Sequence, residues 1–372
     1  MTTNDSSGTL TIGIIGTRGI PNRYGGFERF VELLVDDTLW QDHDVQFRVY
    51  GESPTQERNP WTRSCEVGLI KSERPLMYYA RSANMAAREC DILLCCGVGL
   101  SVFAWWPVFR GRALVVNPDG CEWRRTKWSR LGRLLIRAMY WPAIAAAQRI
   151  VIDAEALRED FGSALGNKAR CIAYQAPEPR SATLQDTTKA QLALSRHFLL
   201  VIARLEPENN IHLILQAFHK LDPSEVNLVI VGGKSTPFYL DVLAGMECPR
   251  VRFVGALYDQ AVLDELRSNC LAYLHGHSVG GTNPSLLEAL ATVRGHLICH
   301  DNKYNREVAA DQAEYFVDET ALAALLQPIV QGAATQIDDI PAHRTPTRDE
   351  RFRPDTISRS YLELFEDIRA AR

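Results

Sequence analysis

The segment from His275 to Leu290 carries residue types that can bind a phosphate and a sugar. It reads His-Gly-His-Ser-Val-Gly-Gly-Thr-Asn-Pro-Ser-Leu-Leu-Glu-Ala-Leu, and it follows an apolar run typical of a buried strand. Pro284 favours the first turn of a helix, with Thr282 or Asn283 as the N-cap. A helix N-terminus attracts anions because its first backbone N–H groups lack partners within the helix. The amides that we expect to face such an anion are those of Gly280, Gly281 and Asn283.

Glu288 lies one turn inside this predicted helix, too far from its start to cap it. Its carboxylate could instead accept hydrogen bonds from sugar hydroxyls. A simpler alternative is a tight loop before an ordinary amphipathic helix. The segment therefore indicates a phosphate and sugar site that other parts of the chain must complete.

A second glycine cluster follows the strand predicted over 10–15. The loop reads Gly-Thr-Arg-Gly-Ile-Pro-Asn-Arg-Tyr-Gly-Gly-Phe-Glu, and its glycine spacing differs from the dinucleotide-binding fingerprint. Gly25 and Gly26 precede a predicted helix, so the backbone there could approach a phosphate, and Arg18 could add charge. The alternative is a long strand-to-helix loop whose glycines need positive φ.

Arg204 directly follows the strand predicted over 198–203, where a guanidinium group suits a diphosphate. Asn209 and Asn210 come just before the next predicted helix and could simply cap it. The same pattern of a polar side chain after a strand therefore occurs in both halves of the chain.

Asp119 ends another predicted strand. Its carboxylate could bind an acceptor hydroxyl or act as a general base, and the alternative is a turn-forming aspartate before Gly120. The string Asp42-His-Asp44 matches a metal-binding pattern, but it lies in a polar connection that we interpret as a solvated loop. We therefore expect no metal site.

The segment from Trp123 to Trp141 is strongly basic, with six positive and no negative charges in a chain of net charge −4. Trp128, Leu131 and Leu135 follow a helical stripe, which predicts an amphipathic helix. Such a helix can lie on an anionic membrane, and the alternative is a core-packed helix with a solvated basic face. The residues that we expect at the acceptor or the membrane are Asp119, Arg124, Arg125, Lys127, Trp128, Arg130 and Arg133.

Short apolar runs alternate with helical patterns along the whole chain, which predicts an α/β fold of parallel, doubly wound sheets. A polar stretch with prolines over 175–183 interrupts the alternation and is interpreted as a hinge. We therefore predict one domain over 1–177, a second over 178–353, and an amphipathic C-terminal helix over 354–372 that packs back on the first domain.

Bulk composition agrees with a two-domain globular protein of 372 residues, with 46% hydrophobic and 23% charged residues. The negative net charge argues against a general nucleic-acid binder. Nine scattered cysteines without a C-x-x-C pair indicate reduced thiols and a cytoplasmic location. No signal-peptide region and no apolar run long enough to span a membrane occur, so we expect a protein that is at most peripheral.

These motifs together resemble the retaining glycosyltransferases of family four. The resemblance rests on Arg204-Leu followed by a proline and a helix, and on Gly280-Gly-x-x-Pro-x-x-x-Glu288. Three longer motifs resemble the branch of bacterial rhamnosyltransferases of cell-wall and capsule polysaccharides. They are Ile-Ile-Gly-Thr-Arg-Gly-Ile-Pro-x-x-Tyr-Gly-Gly-Phe-Glu, Asp-Gly-x-Glu-Trp-x-Arg-x-Lys-Trp, and the run from His275.

The resemblance implies a GT-B fold, in which two Rossmann-like domains face each other across a cleft. The first domain would bind the acceptor and the second the nucleotide sugar. Arg204 would bind the donor diphosphate, Glu288 would accept the ribose hydroxyls, and Leu257 and Tyr258 would flank the base. The catalytic set is then Arg204, Asp119 and Glu288.

Two positions depart from the family pattern. Asn209 replaces a lysine that binds the diphosphate, and Gly280 replaces a glutamate that contacts the transferred sugar. We expect the amides of 280–283, including that of Thr282, and the side chain of His277 to hold the donor sugar instead. The loss of a carboxylate is compatible with a deoxy sugar, which has fewer hydroxyls.

The implied function is a retaining transfer of rhamnose from a dTDP-activated donor to a lipid-linked saccharide at the inner membrane face. The expected partners are the nucleotide sugar, the acceptor and an anionic membrane, without a cofactor or a required metal. Two alternatives are open. One is a GT-B enzyme for another hexose from a UDP- or GDP-sugar, and the other is a catalytically impaired sugar-nucleotide-binding protein.

Overall fold

The computed structural model describes residues 8–22, 25–53, 58–124, 129–195, 197–221, 226–233, 237–246, 248–335 and 343–372. They form two compact units. The first lies within 8–123, 130–175 and 350–372, and the second comprises 124, 129 and the described residues of 176–349. The first unit thus combines the two ends of the chain.

Strands and helices alternate along both units. The strands are β1 Leu10–Ile15, β2 Val45–Gly51, β3 Thr62–Glu66, β4 Ile92–Cys96, β5 Ala113–Asn117, β6 Arg149–Ile152, β7 Ala169–Cys171, β8 His197–Ile202, β9 Val226–Val231, β10 Val251–Gly255, β11 Ala272–His275, β12 His296–His300 and β13 Glu314–Phe316. The helices are α1 Gly26–Asp36, α2 Pro75–Glu89, α3 Trp105–Phe109, α4 Arg130–Ala146, α5 Leu157–Phe161, α6 Asp186–Gln191, α7 Ile211–His219, α8 Pro237–Ala244, α9 Gln260–Asn269, α10 Pro284–Thr292, α11 Lys303–Ala309, α12 Glu319–Thr335 and α13 Pro354–Ala370.

The first unit is built on a seven-stranded parallel sheet in the order β3-β2-β1-β4-β5-β6-β7. Its central strands are apolar on both faces because helices cover both. The chain runs outward from β1 on one side and from β4 on the other. The point where the strand order reverses therefore lies between β1 and β4, and ligands bind at such points in open α/β sheets.

Helix α13 completes the core of the first unit. It buries Tyr361 and Phe365, and the ring of Tyr361 lies 5.6 Å from that of Phe30 in α1. The hydroxyl of Ser358 donates to the carboxylate of Asp37 at 2.7 Å. Because these partners come from the start of the chain, the apolar stripe predicted for the C-terminal segment packs within the first unit.

The second unit is built on a six-stranded parallel sheet in the order β10-β9-β8-β11-β12-β13. Leu199, Ile214, Leu228, Leu274 and Leu326 belong to its buried core, which joins the sheet to α7 and α12. Here the strand order reverses between β8 and β11. The segments after these two strands are those that contain Arg204 and the run from His275.

The α/β fold with two parallel, Rossmann-like sheets is confirmed. Three short edge strands, β3, β7 and β13, have no counterpart among the predicted elements. All nine cysteines are free thiols. Within the described ranges, no helix is both long and apolar enough to cross a membrane.

Candidate active site

The carboxyl edge of the second sheet gathers most of the residues that we predicted to bind the donor. Arg204 lies two residues after β8, and His277 lies two residues after β11. Because β8 and β11 are neighbours at the point where the strand order reverses, the two loops emerge side by side. That both loops serve one donor site stays a prediction.

Backbone contacts hold these two loops together. The side-chain amide of Asn210 donates to the carbonyl oxygen of Gly276 at 2.8 Å. The backbone N–H of Ser278 donates to the carbonyl oxygen of Glu208 at 2.9 Å. A Cβ atom on Gly276 would lie 2.1 Å from the carbonyl oxygen of Asn209, so only glycine permits this approach. Neither asparagine before α7 caps that helix through its side chain.

Asn209 connects Arg204 to His277. Its amide nitrogen donates to the carbonyl oxygen of Arg204 at 2.7 Å, and its amide oxygen lies 2.8 Å from Nδ1 of His277. Asn209 is buried, with 6% of its surface exposed. The uncharged amide of Asn209 therefore braces the loop after β8.

The guanidinium group of Arg204 remains accessible at this edge, with 40% of the side chain exposed. One of its nitrogens donates to the carboxylate of Glu206 at 3.0 Å. This pair orients the arginine, and the other donors of its planar fork can bind a diphosphate.

The start of α10 agrees with the predicted cap. Asn283 accepts a hydrogen bond from the backbone N–H of Ser285 at 2.9 Å, and Pro284 occupies the first turn. Asn283 rather than Thr282 is the N-cap, and both Gly281 and Thr282 are buried. The anion site that we predict at the amides of 280–283 thus lies at a properly capped helix start.

Gly280 has φ +135°, a backbone conformation that favours glycine. A Cβ atom at this position would lie 3.0 Å from Nε2 of His277. Any side chain at this position would therefore begin in close contact with the imidazole ring.

Glu288 is buried in α10 and forms an ion pair with Arg267 of α9, with Oε2 2.5 Å from the guanidinium nitrogen. Arg267 is only 1% exposed, and its second nitrogen lies 3.6 Å from Asp264, which also pairs with Arg180. Glu288, which we predicted to bind the ribose, thus belongs to a network of ion pairs with Arg267 and Asp264. Sequence reasoning missed Arg267, because nothing in the spacing of α9 marks an inward-facing arginine.

Leu257 and Tyr258 follow β10 at the same edge, next to Gly255 with φ +84°. Leu257 is half-buried and Tyr258 is 51% exposed. An exposed aromatic ring at this edge can pack against a flat base. They lie two strands away from the strand that precedes Arg204, and their role at the nucleotide base stays a prediction.

Two asparagines after β12 also belong to the site and were missed. Asn302 and Asn305 both donate to the carbonyl oxygen of His277, at 2.9 and 2.8 Å. The position of Asn302, two residues after a strand, was a signal that could have found it. Beneath them, burial and the neighbouring His300 lower the pKa of His275 to about 3, so this imidazole is neutral.

The glycine loop after β1 is shaped by Glu28. Its carboxylate accepts a hydrogen bond from the backbone N–H of Arg18 at 2.8 Å. The side chain of Arg18 lies 3.7 Å from the carboxylate of Glu52. Gly25 is the N-cap of α1, which begins at Gly26. The two predicted glycines therefore lie at a helix start next to the point where the first sheet reverses its strand order.

Asp119 follows β5 in a left-handed conformation, with φ +62°. Its backbone N–H bonds to the side chain of Asn117 at 3.0 Å, and Tyr140 donates to the carbonyl oxygen of Gly120 at 2.9 Å. The ring of Trp123 packs edge-on against Tyr140 at 4.5 Å. Asp119 thus forms a turn, as one of the two alternatives predicted. Its half-buried side chain lies at the carboxyl end of β5.

The basic segment contains an exposed helix. Arg124 and Arg130 are exposed and Arg133 is half-buried, whereas Arg125, Lys127 and Trp128 lie outside the described residues. The apolar stripe of α4 is also exposed, against the expectation for a core-packed helix. The large apolar side chains exposed on α3 and α4 are Trp105, Trp106, Phe109, Leu131, Leu134, Leu135 and Trp141.

One cluster in the described part of the chain brings three potential metal ligands within 4.8 Å of one another: His296, Glu314 and His343. The two imidazole rings are stacked, with centroids 3.6 Å apart and planes 16° from parallel. A metal ion must lie near the plane of each imidazole that binds it. Stacked rings cannot both meet this condition, so the cluster does not constitute a metal centre.

Two family comparisons divide the chain. Residues 10–177 match the family described as "Domain of unknown function (DUF1972)", and residues 185–332 match "Glycosyl transferases group 1". No curated protein sequence matches the chain.

Solved structures resemble nearly the whole chain at low sequence identity. Sucrose-phosphate synthase from Thermosynechococcus elongatus has a TM-score of 0.72 and 15% identity, covering 98% of this chain and 100% of its own. HepE from Anabaena, in complex with UDP and glucose, has a TM-score of 0.66 and 17% identity, covering 96% and 100%. Trehalose 6-phosphate synthase from Burkholderia multivorans has a TM-score of 0.69 and 12% identity, covering 98% of each chain. The predicted GT-B fold is confirmed by these similarities.

Proposed function

Because residues 185–332 form a glycosyl transferases group 1 domain, we propose that the protein is a retaining glycosyltransferase. Its donor is dTDP-rhamnose, and its acceptor is a lipid-linked saccharide used in polysaccharide assembly. The observation that carries the proposal is the convergence of Arg204, a capped helix start and Glu288 at the carboxyl edge of the second sheet.

Each part of the donor has a partner of suitable chemistry in the second unit. Arg204 and the amides of 280–283 bind the diphosphate, because both present N–H donors and positive potential. Glu288 accepts the ribose hydroxyls, and its pairing with Arg267 fixes the orientation of its carboxylate. Tyr258 packs against the base.

The choice of sugar rests on Gly280. A carboxylate at this position would accept hydrogen bonds from sugar hydroxyls, and here an imidazole occupies the adjacent space. A 6-deoxy sugar offers one hydroxyl fewer and needs fewer acceptors. HepE, which was solved with UDP and glucose, supports the alternative of a UDP-hexose.

The reaction proceeds on one face of the sugar. The bond between the anomeric carbon and the diphosphate oxygen breaks while the acceptor oxygen bonds to the same carbon from the same face. The acceptor proton passes to a phosphate oxygen. Arg204 and the helix start stabilise the negative charge that develops on the diphosphate, which is the largest contribution expected from preorganised groups. No step in this scheme requires a metal ion.

Helix α4 supports the proposal of a membrane-borne acceptor. Leu131, Leu134 and Leu135 expose 66%, 65% and 58% of their surface, although they form the apolar stripe of the helix. Arg130 and Arg137 are exposed on the same helix. Exposed leucines flanked by arginines suit the boundary between anionic headgroups and acyl chains.

Calorimetric titration with dTDP-rhamnose, UDP-glucose and a GDP-hexose tests the donor. We expect the tightest binding and a slow release of dTDP with dTDP-rhamnose. Binding of a UDP-hexose without binding of dTDP-rhamnose would overturn the sugar assignment. Binding without any donor hydrolysis or transfer would favour the catalytically impaired sugar-nucleotide-binding protein.

Two variants test the donor residues. Arg204→Ala should lower turnover by at least 100-fold, since it removes a charge that acts on the leaving group. Glu288→Gln should weaken nucleotide binding. Activity and binding close to wild type in both variants would refute the proposed site.

Sedimentation with vesicles tests the membrane surface. The wild-type protein should bind vesicles that contain phosphatidylglycerol and should not bind pure phosphatidylcholine vesicles. Leu134→Gln combined with Leu135→Gln should reduce binding. Val317→Gln is the matched control, because Val317 is 60% exposed in the second unit. Equal binding of both variants would contradict the role of α4.

A further inference from the structure

We infer that Asn209, His277 and Gly280 act as one device that selects the donor sugar. Asn209 is a positioning residue that holds His277 with its proton on Nδ1, so that Nε2 accepts a hydrogen bond from a hydroxyl of the sugar. The inference rests on the proposed glycosyltransferase function. It connects the two departures from the family pattern, at positions 209 and 280, through a third residue.

The orientation of the Asn209 amide determines the tautomer of His277. A carbonyl oxygen can only accept, so the atom 2.7 Å from the carbonyl of Arg204 must be the amide nitrogen of Asn209. Its oxygen then faces Nδ1 of His277 at 2.8 Å. Since an amide oxygen can only accept, Nδ1 carries the proton. In the neutral ring, Nε2 is therefore the acceptor.

The backbone of His277 is held as firmly as its ring. Its carbonyl oxygen accepts hydrogen bonds from the side-chain amides of Asn302 and Asn305. The next residue, Ser278, donates both its backbone N–H and its hydroxyl to the carbonyl oxygen of Glu208, each at 2.9 Å. A side chain with so many fixed neighbours can place one nitrogen accurately, as a selective site requires.

The absence of a side chain at Gly280 leaves room for the imidazole ring of His277. A Cβ atom there would lie 3.0 Å from Nε2 of His277, which is tighter than nine in ten Cβ contacts in proteins. A glutamate at position 280 and the imidazole at its present place would therefore compete. We conclude that the missing carboxylate and the histidine form one exchange, in which a neutral acceptor replaces a charged one.

The groups around His277 keep an acceptor at Nε2 only while the ring is neutral. Burial lowers the pKa of both His275 and His300, so the neighbouring imidazoles are neutral as well. Arg204 and Glu206 form an ion pair in the adjacent loop, which also contains the buried Glu208.

Replacement of His277 by asparagine or glutamine tests the roles of its two ring nitrogens separately. In His277→Asn, the amide can still bond to Asn209, but no atom remains at the place of Nε2. In His277→Gln, the amide reaches that place. We expect His277→Asn to lower kcat/KM with dTDP-rhamnose roughly tenfold or more, and His277→Gln to retain more activity. His43→Asn, in an exposed loop of the first unit, is the matched control.

Binding of dTDP alone provides a readout that a purely structural role would change. His277→Asn should bind dTDP as tightly as the wild type while binding dTDP-rhamnose more weakly. Asn209→Ala should act in the same direction, and the double variant should lose no more than the larger single loss, because the two residues act through one nitrogen. If the variants bound dTDP and dTDP-rhamnose with equally reduced affinity, the inference would be overturned.

Nitrogen-15 NMR of labelled histidine reports the tautomer directly, with His277→Gln identifying the resonance. We expect Nδ1 to carry the proton in the wild type and the preference to be lost in Asn209→Ala. A proton on Nε2 in a wild-type protein that transfers sugar would refute the device and leave the proposed function intact. The expected tautomer in a protein without donor binding or transfer would refute the proposed function instead.

Discussion

Arg267 and Glu288 are the residues whose chemistry is most constrained by their surroundings. The guanidinium is almost completely buried, and the carboxylate at 2.5 Å compensates most of its charge. Removal of one member of a buried ion pair leaves an uncompensated charge, which costs much more than loss of an exposed pair. Glu288 therefore serves both the stability of the second unit and the proposed binding of ribose.

This dual role makes a prediction for stability. Glu288→Ala should lower the free energy of unfolding by about 3–5 kcal/mol, as measured by urea denaturation. The double variant Glu288→Leu with Arg267→Met should be less destabilised, because no buried charge remains. Asp301→Asn, which breaks the exposed pair with Arg306, serves as the control and should change little. A small effect of Glu288→Ala would show that Arg267 finds another partner.

His275 predicts a dependence of stability on pH. Its pKa is about 3 in the folded protein and about 6.5 in an unfolded chain. Between these values the unfolded state binds the additional proton, so stability falls as the pH decreases from about 6.5 towards 3. The free energy of unfolding should fall by up to about 1.4 kcal/mol per pH unit from this residue.

His275→Gln should flatten this dependence. The measurement is the difference in Tm between pH 7.5 and pH 5.5 for both proteins, compared with His43→Gln as the exposed control. The pKa of His300 is also lowered by burial, so part of the acid sensitivity should persist in the variant. An unchanged difference in Tm would contradict the assignment of a neutral, buried imidazole to His275.

At the scale of elements, the site depends on how closely the loop after β8 approaches the loop after β11. Gly276→Ala would place a methyl group 2.1 Å from the carbonyl oxygen of Asn209. We expect a loss of about 1–3 kcal/mol in stability and weaker binding of dTDP. Gly332→Ala in α12 has open space around its Cβ and should be neutral or stabilising. If the two variants had similar free energies of unfolding, the loops after β8 and β11 could move apart without destabilising the second unit.

The central elements could be predicted from the sequence, and the edges could not. β1 agrees residue for residue with the strand predicted over 10–15, and β8 is shifted by one residue from the strand predicted over 198–203, because both are apolar runs. β3, β7 and β13 are three to five residues long and partly exposed, so they lack a continuous apolar pattern. The start of α10 was predictable because Asn283 and Pro284 carry a local cap signal.

At the scale of the whole chain, the first unit is formed from both termini. Helix α13 contributes fully buried side chains to a sheet that begins at Leu10. The second unit lies between these two contributions in the sequence. This arrangement predicts that the first unit depends on the last residues of the chain, whereas the second does not.

Phe365→Ala tests this dependence. Phe365 is completely buried, and its truncation should destabilise the first unit by about 3–5 kcal/mol. Glu366→Ala, its exposed neighbour in α13, is the matched control. Differential scanning calorimetry should show an earlier transition for Phe365→Ala, and binding of dTDP by the second unit should persist above the temperature of that transition. If dTDP binding were lost at the same temperature at which the first unit unfolds, the two units would form a single cooperative unit.

The sequence by itself determined the class of the fold, the order of the central elements and the loops that carry the chemistry. These features depend on local patterns: apolar runs, a proline and asparagine at a helix start, and glycines after strands. Only the tertiary structure decided which polar groups meet. Asn209 and His277 are 68 residues apart, and Arg267 and Glu288 are 21 apart, with no spacing rule that pairs them. Hydrogen bonds and buried ion pairs form between atoms that the sheet brings within about 3 Å, and that proximity exists only in three dimensions.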